Sequence, residues 1–267
     1  MRNVTKLLEI SLVSLVLMSG ALVCKSVFAE SISLFAAAGV KAPAEEIIRA
    51  FELQTGHTVM RLYDTAGEAE ARFIANSKIG VLVTTELRIQ RASAAGGKLS
   101  NGQMLRVGDT LAGVAISKSF KSNYSTTSLM DIGSAQGLRN ALLAAKRIAF
   151  SDPARGATVG VHFAQVIDKL GIKDPVMAKA VIAKDGIETM KLVANGEVDL
   201  GITQMSEILQ FDKSLLLGAF PIELELSTRY SSWVSADASP AVKDLAAAFA
   251  TQSGRTALAK HGLRVSN

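Results

Sequence analysis

The sequence predicts an α/β protein of two lobes joined by two crossing strands. Short runs rich in β-branched residues alternate with segments of helical period, which is the pattern of parallel strands linked by helices. Two longer extended segments, 106–117 and 223–234, bracket a self-contained α/β block. Residues 30–267, once a leader is set aside, are enough for one large domain or two small ones. The lobes are expected over 30–111 together with 224–267, and over 112–223, with the ligand cleft between them. Gly and Ser near both crossings permit hinge motion.

The elements follow in order. Ser31 to Phe35 reads as a strand. The next helix carries Ala44, Ile47, Ile48 and Phe51 at i, i+3, i+4 and i+7, and Thr55-Gly56 stops it. His57 to Leu62 is a strand, 67–76 a helix, Gly80 to Thr84 an apolar strand, and 86–95 a helix. In the second block, Leu138, Leu142 and Ala145 mark a helix and Arg147 to Phe150 a strand. Phe163, Val166, Ile167 and Leu170 mark a helix ending at Gly171. Ala180 to Ala183 is a strand, 187–194 a helix and Val198 to Thr203 a buried strand. After the second long extended segment, Val242, Leu245, Ala246 and Phe249 share one helix face, and a short helix runs through Leu258.

Residues 1–29 read as a signal peptide, which predicts a periplasmic protein. Arg2 and Lys6 precede an apolar run from Ile10 to Val23, and Val27-Phe28-Ala29 predicts cleavage before Glu30. The run is roughly 14 residues, against the roughly 20 that span a bilayer. The leader takes Arg2, Lys6 and Lys25 from 29 basic residues and Glu9 from 24 acidic ones, which leaves a surplus of three positive charges. That surplus is small and scattered, so nucleic acid is not expected as a partner. Cys24, the only cysteine, leaves with the leader, and with it any disulfide or reactive thiolate.

No catalytic or metal constellation assembles. His57, His162 and His261 lie in different elements without metal-ligand spacing, and neither a G-x-S-x-G elbow nor a Walker loop is present. His162 is expected to be structural. The carboxylates read as solvated surface, as in Glu45-Glu46; a perturbed carboxylate in the cleft would favour an enzyme instead. No cofactor is expected.

Small-residue turns stand where strands give way to helices. They are 36–41 (Ala-Ala-Ala-Gly-Val-Lys), 64–68 (Asp-Thr-Ala-Gly-Glu) and 151–158 (Ser-Asp-Pro-Ala-Arg-Gly-Ala-Thr). Such turns let a ligand approach backbone N–H groups, and the positive end of a helix dipole favours an anion. Open α/β sheets bind ligands at the carboxyl ends of their strands, where these turns sit. The expected ligand-binding residues are therefore Ala38, Gly39, Thr65, Ala66, Arg155, Gly156, Ala157 and Thr158, with Ile187 opening a later helix and Thr203 and Gln204 ending a strand. Arg155 is either a bidentate clamp on a carboxylate or an exposed loop charge.

The segment Ile32-Ser33-Leu34-Phe35-Ala36-Ala37-Ala38, the helix through Phe51, and Gln54-Thr55-Gly56-His57-Thr58-Val59 resemble the start of molybdate-binding periplasmic proteins of ABC transporters. Ser151-Asp152-Pro153 before a helix and Gly196 to Ile202 extend the likeness over most of the chain after the leader. The resemblance implies the two-lobed type 2 periplasmic-binding-protein fold, closure on a small anionic ligand, and delivery to an inner-membrane ABC permease. A monomer is expected. The chain departs from the family pattern at Gly39, where a serine is usual, at Asp64-Thr65-Ala66-Gly67, at Ile79-Gly80-Val81 and at Thr203-Gln204. Asp64 would repel a dianion if it faced the site. A molybdate-like oxyanion and a small organic acid are both open as ligands, and a periplasmic enzyme or a sensor subunit on the same fold is the alternative function.

Overall fold

In a computed structural model of the protein, residues 29–76, 80–94, 96–97, 99–124 and 131–265 are described. All of the leader except Ala29 lies outside them, as do Ile79 and Ala95. Strand β1 (Ser31–Ala37) passes through a short 3-10 turn at Ala38–Val40 into helix α1 (Lys41–Thr55). Strand β2 (Thr58–Asp64), helix α2 (Ala66–Asn76), strand β3 (Gly80–Thr85) and helix α3 (Glu86–Ala94) follow. The long strand β4 (Gly102–Ile116) then leads away.

The second block contains α4 (Lys118–Tyr124), α5 (Ala135–Ala144), β5 (Ile148–Ser151), α6 (Thr158–Lys169), α7 (Lys173–Met177) and β6 (Ala180–Ala183). Its remainder is α8 (Gly186–Ala194), β7 (Leu200–Gln204), the single-turn α9 (Met205–Ile208) and β8 (Leu216–Ala219). Strand β9 (Ser227–Ser235) returns to the first block, which closes with α10 (Pro240–Ala248) and α11 (Gln252–Lys260).

The strands form one continuous path in the order β2-β1-β3-β9-β4-β7-β5-β6, with β8 paired to β4 off that path. β1 lies parallel to both β2 and β3, and β5 parallel to both β6 and β7. β9 runs antiparallel between β3 and β4. β4 is shared. Gly102 to Leu111 pair with β9, whereas Ala112 to Ile116 pair with β7 and β8. Each half of the path has its own core. Ile32, Leu34, Ile48, Val81, Val242 and Phe249 anchor one, and Val114, Leu138, Phe150, Phe163, Ile167 and Ile202 the other. Fully burying one such side chain contributes about 1.5–3 kcal/mol.

The helical periods hold in detail, since Ala44, Ile47, Ile48 and Phe51 are all buried. Gly56 closes α1 at φ +74°, a left-handed conformation that glycine takes without strain. Ser134, Asp185, Ser239 and Thr251 cap α5, α8, α10 and α11 with side-chain oxygens, each cap contributing about 1 kcal/mol.

Two extended segments differ from expectation. The first begins earlier, at Gly102, where Trp233 lies in the space a side chain would fill. The second begins later. Pro221 starts a 3-10 turn at Ile222–Leu224 that buries Leu224 in the second core, so regular pairing opens only at Ser227. Helices α4, α7 and α9 and strand β8 escape prediction because four to seven residues are too few to display a period.

Candidate ligand-binding site

The carboxyl ends of β1, β2, β5, β6 and β7 converge on the line between the lobes. The chain leaves β1 and β2 through small residues into a helix, and small residues also precede α6 after β5. The cavity at that point is lined by Ala37, Ala38 and Gly39 after β1, by Thr65 and Ala66 after β2, and by Ser151 and 157–159 around the start of α6. Gly186, Thr203, Gln204, Glu207 and Tyr230 complete it. Its volume is about 20 Å³, which is room for one or two waters. α6 starts at Ala157 without a side-chain cap, leaving its first N–H groups to whatever occupies the cavity.

The lobes touch along this line. Thr65 Oγ1 donates to Arg155 O, the Gly67 N–H to Gly156 O at 3.3 Å, and Gln210 Nε2 to Ala38 O at 3.2 Å. Gly67 and Gly156 meet backbone to backbone, and a Cβ on Gly67 would stand 2.8 Å from Gly156 Cα.

Of the residues expected from sequence to meet a ligand, Ala38, Gly39, Thr65, Ala66, Ala157, Thr158, Thr203 and Gln204 line this one cavity. Arg155, Gly156 and Ile187 are not part of the lining. Arg155 is not a free loop charge: its guanidinium holds Asp64 of the opposite lobe. That pairing also removes Asp64 from the site. Only 3 % exposed, Asp64 accepts from Arg155 and from the Thr65 N–H and does not line the cavity. Gly156 lies against Gly67 and Arg88 instead. At the α8 entry the lining residue is Gly186, and Ile187 is half-buried beside it.

Glu207 was missed by sequence reasoning, which placed the carboxylates on the solvated surface. It is 6 % exposed in the cavity wall. Its Oε2 accepts from Thr203 Oγ1 and from the Gln204 N–H at 3.1 Å, which ties the carboxylate to the residue that begins α9. Gly186 makes room for it, since a Cβ there would collide with the carboxylate. Burial pushes the Glu207 carboxyl up to about 7, outweighing the two hydrogen bonds, and nearby Asp185 adds to the rise. Across the cavity Tyr230 Oη takes the space that a side chain on Gly39 would need. Burial and then the Glu207 carboxylate raise the phenol well above its ordinary value. Gln204 Oε1 and Ser206 Oγ, in residues 3 % and 1 % exposed, are buried without hydrogen-bond partners.

Among the described residues, no lysine, arginine or histidine lines the cavity. His57 accepts from the Glu30 N–H, His162 Nε2 meets Leu224 O and His261 Nε2 meets Glu46, all structural contacts away from it. Among the described residues no cluster of three His, Cys, Asp or Glu could hold a metal ion, and no helix is long and apolar enough to cross a membrane.

The sequence matches the family model for bacterial extracellular solute-binding proteins over residues 32–264. No functionally curated protein matches it significantly. Among solved structures, the periplasmic molybdate-binding protein of Azotobacter vinelandii superposes with a TM-score of 0.67 at 16% identity, covering 88% of this chain and 100% of that one. The sulfate-binding protein SubI of Mycobacterium tuberculosis gives 0.64 at 16% identity, with 89% and 88% covered. PEB3 of Campylobacter jejuni bound to L-phospholactate gives 0.62 at 15%, with 88% and 100% covered. The chain belongs to the bacterial extracellular solute-binding protein family and has the two-lobed α/β fold of the molybdate-type, type 2 periplasmic binding proteins.

Proposed function

We propose that the protein is a periplasmic receptor that captures a small oxyanion between its lobes and presents it to an ABC permease of the inner membrane. One observation carries this reading: the amino ends of α2, α6 and α8, and the 3-10 turn leading into α1, all face one cavity of about 20 Å³. Helix amino ends supply aligned N–H groups and positive potential, so an anion is held without a cationic side chain. The volume falls far below the several hundred Å³ of pockets for drug-sized molecules, which favours a small ligand. The three neighbours named above, described as binding molybdate, sulfate and phospholactate, support the same ligand class.

In this reading the leader 1–29 directs export and is removed, the lobes comprise 30–111 with 224–267 and 112–223, and the protein works as a monomer. The ligand meets Ala38, Gly39, Thr65, Ala66, Ala157, Thr158, Thr203 and Gln204. Arg155 and Gly156 act on closure rather than on the ligand.

Glu207 is the perturbed carboxylate that an enzyme on this fold would need. Both of its hydrogen bonds are nevertheless local, to Thr203 and Gln204, and no histidine approaches it. Binding without turnover is therefore favoured. A thermal-shift series with phosphate, sulfate, molybdate and small carboxylates tests the proposal. A true ligand at a hundredfold excess over its Kd stabilises the native state by about 2.7 kcal/mol. Silence across the oxyanions sinks the reading, and recovery of a chemically altered ligand would replace it with the enzyme.

A further inference from the structure

The cavity contains a group that an anion site would be expected to exclude. Glu207 lies in the wall of the same cavity that the first residues of α2, α6 and α8 line, beside Gly186 at the start of α8. Two glycines mark the wall as built around this side chain and its neighbour. Gly186 leaves the space for the carboxylate, and Gly39 leaves the space for Tyr230 Oη. The other polar groups are neutral. Thr203 Oγ1 already donates to Glu207 Oε2, while Ser206 Oγ and Gln204 Oε1 are buried and unpaired. The titratable groups around Glu207 are Asp185, at the amino end of α8, and Tyr230 on β9; β7, α2 and α6 present no charged side chain to the cavity.

An ionised carboxylate and a fully ionised oxyanion in so small a space repel strongly, and no cation offsets them. A single proton between the two removes that repulsion and turns it into a charge-assisted O–H···O hydrogen bond. Two sources can supply the proton. A ligand with its own O–H brings one, and Glu207 itself can carry one. A cation is not the fitting occupant, because the converging helix amino ends repel it.

We propose that the cleft admits its anion together with one proton shared with Glu207, so that it selects oxyanions that keep an O–H at neutral pH, such as hydrogen phosphate, over fully ionised ones such as sulfate. The selection rests on the oxyanion-receptor reading above and specifies the ligand class of that same site. Above the Glu207 pKa, where the empty site is ionised, a protonated oxyanion enters with no net proton exchange, whereas sulfate enters with uptake of one proton from solvent onto Glu207; below it the site already holds that proton. Burial, which holds the Glu207 carboxyl near 7, makes that uptake accessible to measurement around neutral pH.

The test is calorimetric titration of the purified protein with inorganic phosphate and with sulfate at pH 5.5 and pH 8.5, each in two buffers of different ionisation heat. Phosphate is expected to bind at least tenfold more tightly than sulfate at pH 8.5. Sulfate is expected to gain at least tenfold in affinity at pH 5.5, and its heat at pH 8.5 to depend on the buffer as uptake of about one proton requires. Glu207→Gln keeps an oxygen for Thr203 Oγ1 and the Gln204 N–H, and its sulfate affinity is expected to be independent of pH. The wild-type proton uptake decides the question by itself should that variant fail to fold. Equal binding of both ions, unchanged by pH and without proton uptake, overturns the selection while leaving the receptor reading intact. Binding of neither ion, nor of any other oxyanion at any pH, overturns both.

Discussion

Arg155 Nη2 lies 2.9 Å from Asp64 Oδ1 and 3.1 Å from Asp64 Oδ2, so one nitrogen of the second lobe is shared by both oxygens of a buried carboxylate in the first. The hydrogen bond to Asp64 raises the Arg155 pKa above its ordinary value. Arg72, the other cation near Asp64, is farther away at 3.8 Å. The pair exists only while the lobes are in contact.

Removing the guanidinium should therefore act on closure. Arg155→Ala is expected to weaken ligand binding by about tenfold or more, equivalent to about 1.4 kcal/mol, because Asp64 loses its main partner in the closed arrangement. Small-angle scattering should show a larger radius of gyration for the variant. Identical scattering curves and identical Kd values would show that the pair does not hold the lobes together.

Gly67 offers a cleaner probe of the same contact. A Cβ there would stand 2.8 Å from Gly156 Cα and 2.9 Å from Arg155 O, both backbone atoms of the other lobe. Helix α2 itself tolerates alanine, which has the higher helix propensity. Gly67→Ala should leave thermal stability within about 1 kcal/mol of wild type and lower ligand affinity by at least tenfold. Unchanged affinity in a titration would mean that the lobes close along a different line.

Glu207 should make stability depend on pH even without ligand. Its folded pKa of about 7 lies above the ordinary 4.5, so the native state binds more protons than the unfolded chain between those values. Stability from this group is fully present below about pH 4.5 and is lost as pH rises through 7, a change on the order of 3 kcal/mol. Glu207→Gln removes the titration. The stability difference between wild type and variant, followed by urea unfolding from pH 4.5 to 8, should move toward the variant by that order. A constant difference would contradict the buried carboxyl.

Gly39 and Tyr230 should behave as a coupled pair. Gly39→Ser, which introduces the residue usual in the molybdate-type family, places its Cβ into Tyr230 Oη and should cost about 1–3 kcal/mol through overpacking. Tyr230→Phe made first removes that oxygen and should recover at least half of the cost. A double-mutant cycle on unfolding free energy measures the coupling, and strict additivity would refute it.

Much of the fold was legible because burial in this chain follows period. Ala44, Ile47, Ile48 and Phe51, and likewise Phe163, Val166 and Ile167, announce their helices and end in the cores. The lining of the candidate site was legible for a related reason: Ala38, Gly39, Ala66 and Ala157 are small residues at strand-to-helix turns, and although one such turn is ordinary helix entry, three in one chain point to a shared cavity. The side chains that give the cavity its chemistry were not. Glu207 sits on a four-residue helix whose neighbours show no face, and Tyr230 sits in a strand where alternation tells which side it faces but not what it meets. Asp64 and Arg155 are 91 residues apart, and local pattern carries no sign of their pairing.

Because β4 changes partners between Leu111 and Ala112, the inserted block begins and ends at one place. The Ala112 N–H donates to Leu226 O at 2.9 Å, and the Phe220 N–H donates to Ala112 O at 3.1 Å. Entry and exit of the second lobe are thus neighbours, and chain between two such points forms a cassette that can be exchanged without rerouting the host backbone. In the division proposed above, grafting the block 112–223 from a relative of different specificity would replace one side of the cavity wall, Glu207 included, and keep the other. The architecture therefore lets ligand preference be assembled from two separately interchangeable halves.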